Sequence, residues 1–246
     1  MSVRVTFLGT GDAFGTGGRH QTCFLVAHGG GRLLVDCGAS ALVAMRQRGV
    51  EPNDVGLILL SHLHGDHFGG LPFLLLDAQY VSRRSRPLTV AGPAGVEERL
   101  GQLMEVTFPG SSATRWRFPL LHHELEPRRA DALDGVVATP FEVRHPSGAP
   151  TLALRVEAED RVLAYSADTE WVPALVEVAR GADLFVVEAY SFEAGVPFHL
   201  SHQVLVDHAA ELGARRILLT HMGPKTLARR AELRFETAED GMTVDV

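Results

Sequence analysis

Cysteine is scarce in this chain: Cys23 and Cys37 are the only two in 246 residues. So few thiols exclude a disulfide framework as the source of stability and fit a reducing compartment. Both read as small buried hydrophobes. The opening Met1-Ser2-Val3-Arg4-Val5 goes straight into a strand-like run, without the charged and apolar regions of a secretory signal. No apolar run approaches the length of a membrane span. The expectation is a cytoplasmic protein that does not enter the membrane. An excess of positive charge is also missing. The formal net charge is −7 and the sequence pI is about 5.9, whereas proteins coated in nucleic acid usually carry a basic footprint. The stretch Gly9–Gly18 holds five glycines but lacks the Gly-Lys-Ser/Thr ending of a phosphate-binding loop. Its glycines still allow backbone to approach a ligand closely. No internal repeat is evident.

The balance is that of a soluble globular protein, 46% hydrophobic and 22% charged, long enough to bury a sizeable core. Its densest chemistry is Ser61-His62-Leu63-His64-Gly65-Asp66-His67, with three histidines and one aspartate in six positions. Imidazole and carboxylate are the side chains that hold zinc or iron at neutral pH. The apolar run Val55–Leu60 before it predicts a buried strand. If that strand continues to His62, then His62 and His64 point the same way, because strand side chains repeat with period two. Asp66 and His67 then project from a different backbone direction after Gly65. Such an array can feed two adjacent metals.

Elsewhere the pattern predicts strands at 3–8, 23–27, 32–36, 88–91, 136–143, 151–156, 161–165, 184–187 and 216–220. Helices are predicted at 39–48, 71–81, 93–104, 173–180 and 203–212. Residues 108–135 read as an irregular connection, with room for a strand or two, that could overhang the site. Three further candidate ligands end apolar runs: His145, Asp168 and His221. His202 and His208 read as surface residues of their helix. His20 and His28 read as structural or exposed. His122 and His123 belong either to a solvated loop or to a substrate-facing lid.

His62-Leu63-His64-Gly65-Asp66-His67 matches the HxHxDH signature of the metallo-β-lactamase superfamily. The chain looks most like its ribonuclease Z branch and related phosphodiesterases, through Phe7-Leu8-Gly9-Thr10-Gly11, Asp36-Cys37-Gly38 and Leu218-Leu219-Thr220-His221. The resemblance spans nearly the whole chain. It implies an α+β fold, the four-layer αββα sandwich, as a single domain over 1–246 with two pseudo-halves near 1–118 and 136–246. It also implies that His62, His64 and His145 hold one metal ion, that Asp66, His67 and His221 hold the other, and that Asp168 bridges them. Two divalent ions are expected, zinc first, with manganese or iron as alternatives. Two such cations about 3.5–4 Å apart lower the pKa of a shared water and offset charge on the substrate. Asp66 would orient or deprotonate the nucleophile. The resemblance further assigns Glu188 and His199 as a proton-donating pair beside the leaving group, and Asp36 as a brace for the ligand loops. At the second motif position His64 replaces the glutamate that accompanies di-iron oxygen reduction in this superfamily, so the chain looks hydrolytic.

The sequence departs from ribonuclease Z in three places. Ala39-Ser40 follows Asp36-Cys37-Gly38, Met222-Gly223-Pro224-Lys225 follows His221, and no Gly/Pro- and Lys-rich arm appears between Ala91-Gly92-Pro93 and His145. The leading expectation is therefore a binuclear metal hydrolase acting on a small or cyclic phosphodiester, as a homodimer. The alternatives are a transfer-RNA 3′-processing endonuclease and a non-catalytic metabolite-binding relative. Long RNA is not the expected ligand, although a local basic groove is compatible with the charge balance.

Overall fold

The apolar runs of this chain face two ways. In Leu57-Ile58-Leu59-Leu60, Leu57 and Leu59 enter one buried cluster while Ile58 and Leu60 enter another. In Leu184-Phe185-Val186-Val187 the first and third residues join that same first cluster, and the second and fourth a third one. Period-two alternation with both faces apolar is what a strand shows when it is covered on both sides.

The computed structural model describes residues 3–193 and 195–246. Its strands are β1 (Arg4–Gly9), β2 (Cys23–His28), β3 (Gly31–Val35), β4 (Val55–Leu59), β5 (Leu88–Gly92), β6 (Leu120–Glu124), β7 (Asp131–Leu133), β8 (Val136–Val143), β9 (Thr151–Ala158), β10 (Arg161–Tyr165), β11 (Leu184–Glu188), β12 (Ile217–Thr220), β13 (Glu236–Thr237) and β14 (Thr243–Asp245). They form two seven-stranded sheets, β14-β1-β2-β3-β4-β5-β6 and β13-β12-β11-β10-β9-β8-β7. The central cluster joins Phe7, Val35 and Leu59 of the first sheet to Leu154, Tyr165 and Val186 of the second. The outer face of the first sheet packs Leu34 and Ile58 against Met45, Leu71 and Leu100 of its helices. The outer face of the second packs Phe185 and Val187 against Leu175, Leu205 and Leu212. The result is the expected four-layer αββα sandwich. Helix Val96–Thr107 shows why its layer forms: Val96, Leu100 and Met104 recur every four residues and are its buried ones, one apolar stripe on a helix.

Direction places the site. β3 to β6 run parallel, as do β10 to β13. β8 and β10 are both antiparallel to β9, so β8 shares the direction of β10. His62, His145, Asp168, Glu188 and His221 therefore all emerge at carboxyl ends of strands, on one rim of the sandwich, where open sheets place their ligands.

Three expectations change. The stretch 108–135 does not overhang this rim. Residues 108–119 precede β6, at the opposite ends of the strands, and Leu88 N–H donates to Pro119 O there. Within the rest, β6 and β7 each form one edge of a sheet, and β6 carries His122 and His123. These are the strand or two for which the stretch had room, and a pattern reading does not place them because edge strands need no alternating buried face. The second change is that β14, from the end of the chain, pairs with β1 and completes the first sheet. Third, His202 is buried, its ring against Phe192 and its Nε2 accepting from Arg234 N–H. It sits at the helix start, where a loop folds over it.

Candidate metal centre

β4 ends at Leu59, and the metal motif is a loop followed by a single helical turn, Gly65–Phe68. The backbone turns before His62, yet the His62 and His64 rings end 4.9 Å apart. His145 joins them, 5.2 Å from His62 and 4.9 Å from His64 between ring centres. Asp66, His67, Asp168 and His221 form a second group, with ligand atoms within 4.8 Å of one another. Asp168 Oδ2 lies between His67 Nε2 at 3.4 Å, His221 Nε2 at 3.3 Å and His62 Nε2 at 4.0 Å. The structure thus brings together all seven side chains singled out in the sequence, and Asp168 stands where the two groups meet.

Four of the five histidines are anchored through Nδ1, leaving Nε2 for the centre. His67 Nδ1 donates to Asp36 Oδ2 at 2.7 Å, and His145 Nδ1 to Phe198 O at 3.0 Å. His62 Nδ1 meets Ser61 Oγ at 3.0 Å, and that hydroxyl in turn donates to Asp36. His221 Nδ1 meets Thr22 Oγ1 at 3.3 Å. Such anchoring fixes tautomer and ring orientation, as supporting groups do around metal-ligating histidines. His64 is the exception and turns its Nδ1 toward His145 Nε2, 3.1 Å away.

The donor set fits metal ions on its own terms. His62 Nε2, His67 Nε2 and Asp168 Oδ1 are buried and make no hydrogen bond, a costly state for polar atoms. His67 Nε2 is 3.2 Å from Asp66 Oδ2 without hydrogen-bond alignment. Ligand atoms about 2.0–2.2 Å from one tetrahedral ion stand about 3.3–3.6 Å apart, so this spacing is that of a coordination shell. The charges agree. Burial alone disfavours the His67 cation, yet Asp168, Asp66 and Asp36 hold its pKa well above the ordinary value. Burial pushes Asp168 up, but His221 and His67 outweigh it and keep the carboxylate well below the usual range.

Asp36 is the brace. It is fully buried and accepts from Ser61 N–H at 2.7 Å, Ser61 Oγ at 2.8 Å and His67 Nδ1. Its φ is 58°, and Gly38 beside it lets Asp66 O come within 2.4 Å of where a Cβ would stand. Asp36→Asn keeps the shape and tolerates this backbone, but its amide nitrogen cannot accept from these donors. We expect metal affinity, measured by chelator competition, to fall about 10–100-fold. Unchanged affinity would remove the bracing role.

Glu188 and His199 also meet. His199 Nδ1 lies 3.2 Å from both Glu188 oxygens, and Thr169 N–H donates to Oε1 at 2.6 Å. Burial drives Glu188 up to about 7, against the pull of His199. Burial lowers the His199 pKa, but the Glu188 hydrogen bond and charge more than offset this and hold it above its ordinary value. The pair shares a proton. It rests on His199, which is partly exposed, while Glu188 is fully buried and accepts a second hydrogen bond. His199 also lies within ligand distance of His145 and Asp168, so geometry alone leaves it two roles.

Tyr190 was absent from the sequence reading. Its ring lies 5.0 Å from His199 and 6.3 Å from His221. The signal was available: Tyr190 is two residues after Glu188, on the same side of an extended chain. His20, His28, His122, His123 and His208 take no part in the two ligand groups.

Comparison with known proteins adds the lineage. A family model described as anti-Pycsar protein Apyc1 matches residues 3–239. The uncharacterized protein Rv1339 of Mycobacterium tuberculosis is 36% identical, covering 92% of this chain and 83% of that protein. A ribonuclease Z of Halorubrum lacusprofundi is 30% identical, covering 97% and 92%. The crystal structure of the metallo-β-lactamase fold protein YhfI from Bacillus subtilis superposes with a TM-score of 0.81 over the whole of both chains, at 22% identity.

Proposed function

We propose, from the premise that this chain belongs to the anti-Pycsar Apyc1 family and to the ribonuclease Z-like branch of the metallo-β-lactamase superfamily, that it is a binuclear phosphodiesterase acting on a small or cyclic phosphodiester. One observation carries this reading. The groups His62/His64/His145 and Asp66/His67/Asp168/His221 converge on Asp168, with the Glu188–His199 pair beside them. When bound, the divalent ions, zinc by preference, supply a water acidic enough to ionise near neutral pH and offset the charge of the phosphoryl group. The protein's own groups do the rest. Asp66 orients the attacking water. Glu188 holds His199, and His199 protonates the departing alkoxide.

The metal-loaded protein should contain close to two transition-metal ions per chain and should hydrolyse bis-p-nitrophenyl phosphate. A panel of small cyclic and linear diesters, phosphomonoesters, lactones and β-lactams then ranks the chemistries. Full metal content with no turnover of any diester would leave a metabolite-binding protein instead.

A second reading, processing of transfer-RNA 3′ ends, draws on the relative named ribonuclease Z. Against it stand the net charge of −7 and the course of the chain between β5 and His145. That course is filled by the helix Val96–Thr107 and β6 to β8, with no projecting arm among the described residues. Long RNA should bind weakly, and the binding should fade as salt rises. Tight, sequence-indifferent binding at physiological salt, or cleavage of precursor transfer RNA, would favour this second reading. A homodimer belongs to the proposal and is supported by Phe73, Tyr80, Val81 and Val106, exposed on two neighbouring helices. Sedimentation as a monomer would remove that part. Among the described residues, no helix is long and apolar enough to cross a membrane, and we place the enzyme in the cytoplasm.

A further inference from the structure

Among the residues of the hydrophobic cluster between the two sheets, Tyr165 alone carries a side-chain oxygen. It is 1% exposed, and its hydroxyl makes no aligned hydrogen bond. A buried hydroxyl left unpaired is unfavourable, and phenylalanine would fill the same space without that cost. Packing therefore does not explain the oxygen.

Its place in the fold does. Tyr165 ends β10 in the second sheet, paired with Leu154 of β9 and Val186 of β11. Its ring crosses to the first sheet and meets the Phe24 ring nearly at right angles, with centres 5.2 Å apart. Phe24 pairs with Val35 of β3, and the next residue is Asp36. Burial pushes the Tyr165 phenol well above its ordinary pKa, the charges of Asp36 and Asp168 add to this, and Asp36 is within the reach of its O–H.

Asp36 has a matching vacancy. A carboxylate offers about four acceptor positions. Ser61 N–H takes one on Oδ1, while Ser61 Oγ and His67 Nδ1 take both on Oδ2. One position on Oδ1 is left, and Tyr165 is an unpaired donor in the same buried space.

We propose that Tyr165 is a positioning residue of the metal centre, whose hydroxyl donates to Asp36 and ties the brace in the first sheet to the turn of the second sheet that presents Asp168. The tie matters because the ligands come from both sheets. His67 hangs on Asp36, and Asp168 follows Tyr165 by three residues, so one hydroxyl links their positions. Closure of His67 and Asp168 on metal ions brings donor and acceptor into line. This rests on the binuclear reading of the centre and adds a residue to its support.

Tyr165→Phe removes only the oxygen. Zinc affinity of the full-length chain, measured by chelator competition, should fall about tenfold, the low end of the loss when a supporting group is taken from a metal site. The Tm of the zinc-free variant should not fall, since the hydroxyl it loses was unpaired. Added to Asp36→Asn, the substitution should cost far less than it does alone, because that variant no longer holds His67 and the two changes act through one contact. Unchanged zinc affinity in Tyr165→Phe overturns the proposal. A fall in affinity matched by a fall in the zinc-free Tm makes Tyr165 a packing residue and overturns it too. Full additivity with Asp36→Asn removes Asp36 as its target. None of these readouts uses turnover. If the zinc-loaded protein hydrolyses no diester while the affinity pattern holds, the functional reading fails and the positioning role stands. A chain that binds no zinc overturns both.

Discussion

Asp168→Ala should leave the protein unable to hold two metal ions together and should remove nearly all diester hydrolysis. The carboxylate is buried at 2% exposure and is the anion between His62, His67 and His221. Two cations at close range repel strongly in a buried site unless an anion separates them. We expect metal content to drop from near two ions to one or fewer, read by elemental analysis after gel filtration. Turnover should fall by more than about 10²–10³-fold, the range seen when a single stabilising donor is lost from an active site. Asp168→Asn retains one ligating oxygen and should keep more metal than the alanine variant. Two ions bound and normal turnover in Asp168→Ala would take Asp168 out of the centre.

His199→Ala should separate substrates by their leaving groups. An alkoxide is a poor leaving group and needs a proton as the P–O bond breaks, whereas p-nitrophenolate hardly does. General acid catalysis contributes about 10²–10⁴-fold, so the variant should lose that much on an alkyl diester and far less on a p-nitrophenyl one. Glu188→Gln should reproduce part of the loss. The sign of its pH effect follows from the pair. Glu188 holds the His199 pKa above its ordinary value, and the acid form works only below that pKa. Removing the carboxylate lowers the pKa, and the alkaline limb of the pH–rate profile moves to lower pH. Metal content should be unchanged in both variants. His199 stands within ligand distance of His145 and Asp168, so an emptied metal site in His199→Ala, or equal slowing of both esters, would assign it to coordination instead.

The metal motif was legible because its residues are contiguous, and four potential ligands at a strand exit have few other uses. His145, Asp168 and His221 were legible one step less directly, as polar residues ending apolar runs. What brings them to one rim is the shared direction of β4, β8, β10 and β12, and direction is not written in any local pattern. His202 was misread for the same reason. Its neighbours Phe192 and Phe235 come from segments on either side of its helix, and helical position alone gives no hint of them. Backbone strain was equally hidden. Asp36, Ala167, Phe198 and His221 all have φ between 52° and 64°, without a glycine to announce it. Each sits at the centre: the brace, the residue before Asp168, the carbonyl that holds His145, and a ligand. Left-handed geometry costs about 1–2 kcal/mol for such residues, and strain of this kind gathers where a site must be held in one shape.

The pairing of β14 with β1 sets an order of events during synthesis. The first sheet gains its outermost strand only when residues 243–245 arrive, and Val246 N–H then reaches back to Val3 O. Asp240 arrives at the same stage and accepts from Thr10 N–H and His20 N–H, tying down the glycine-rich loop whose Thr10 O receives the His221 N–H. Until β14 is made, a nascent chain carries β1 with one edge lacking its strand partner. Such edges invite pairing with other chains, and contacts between distant segments form slowly.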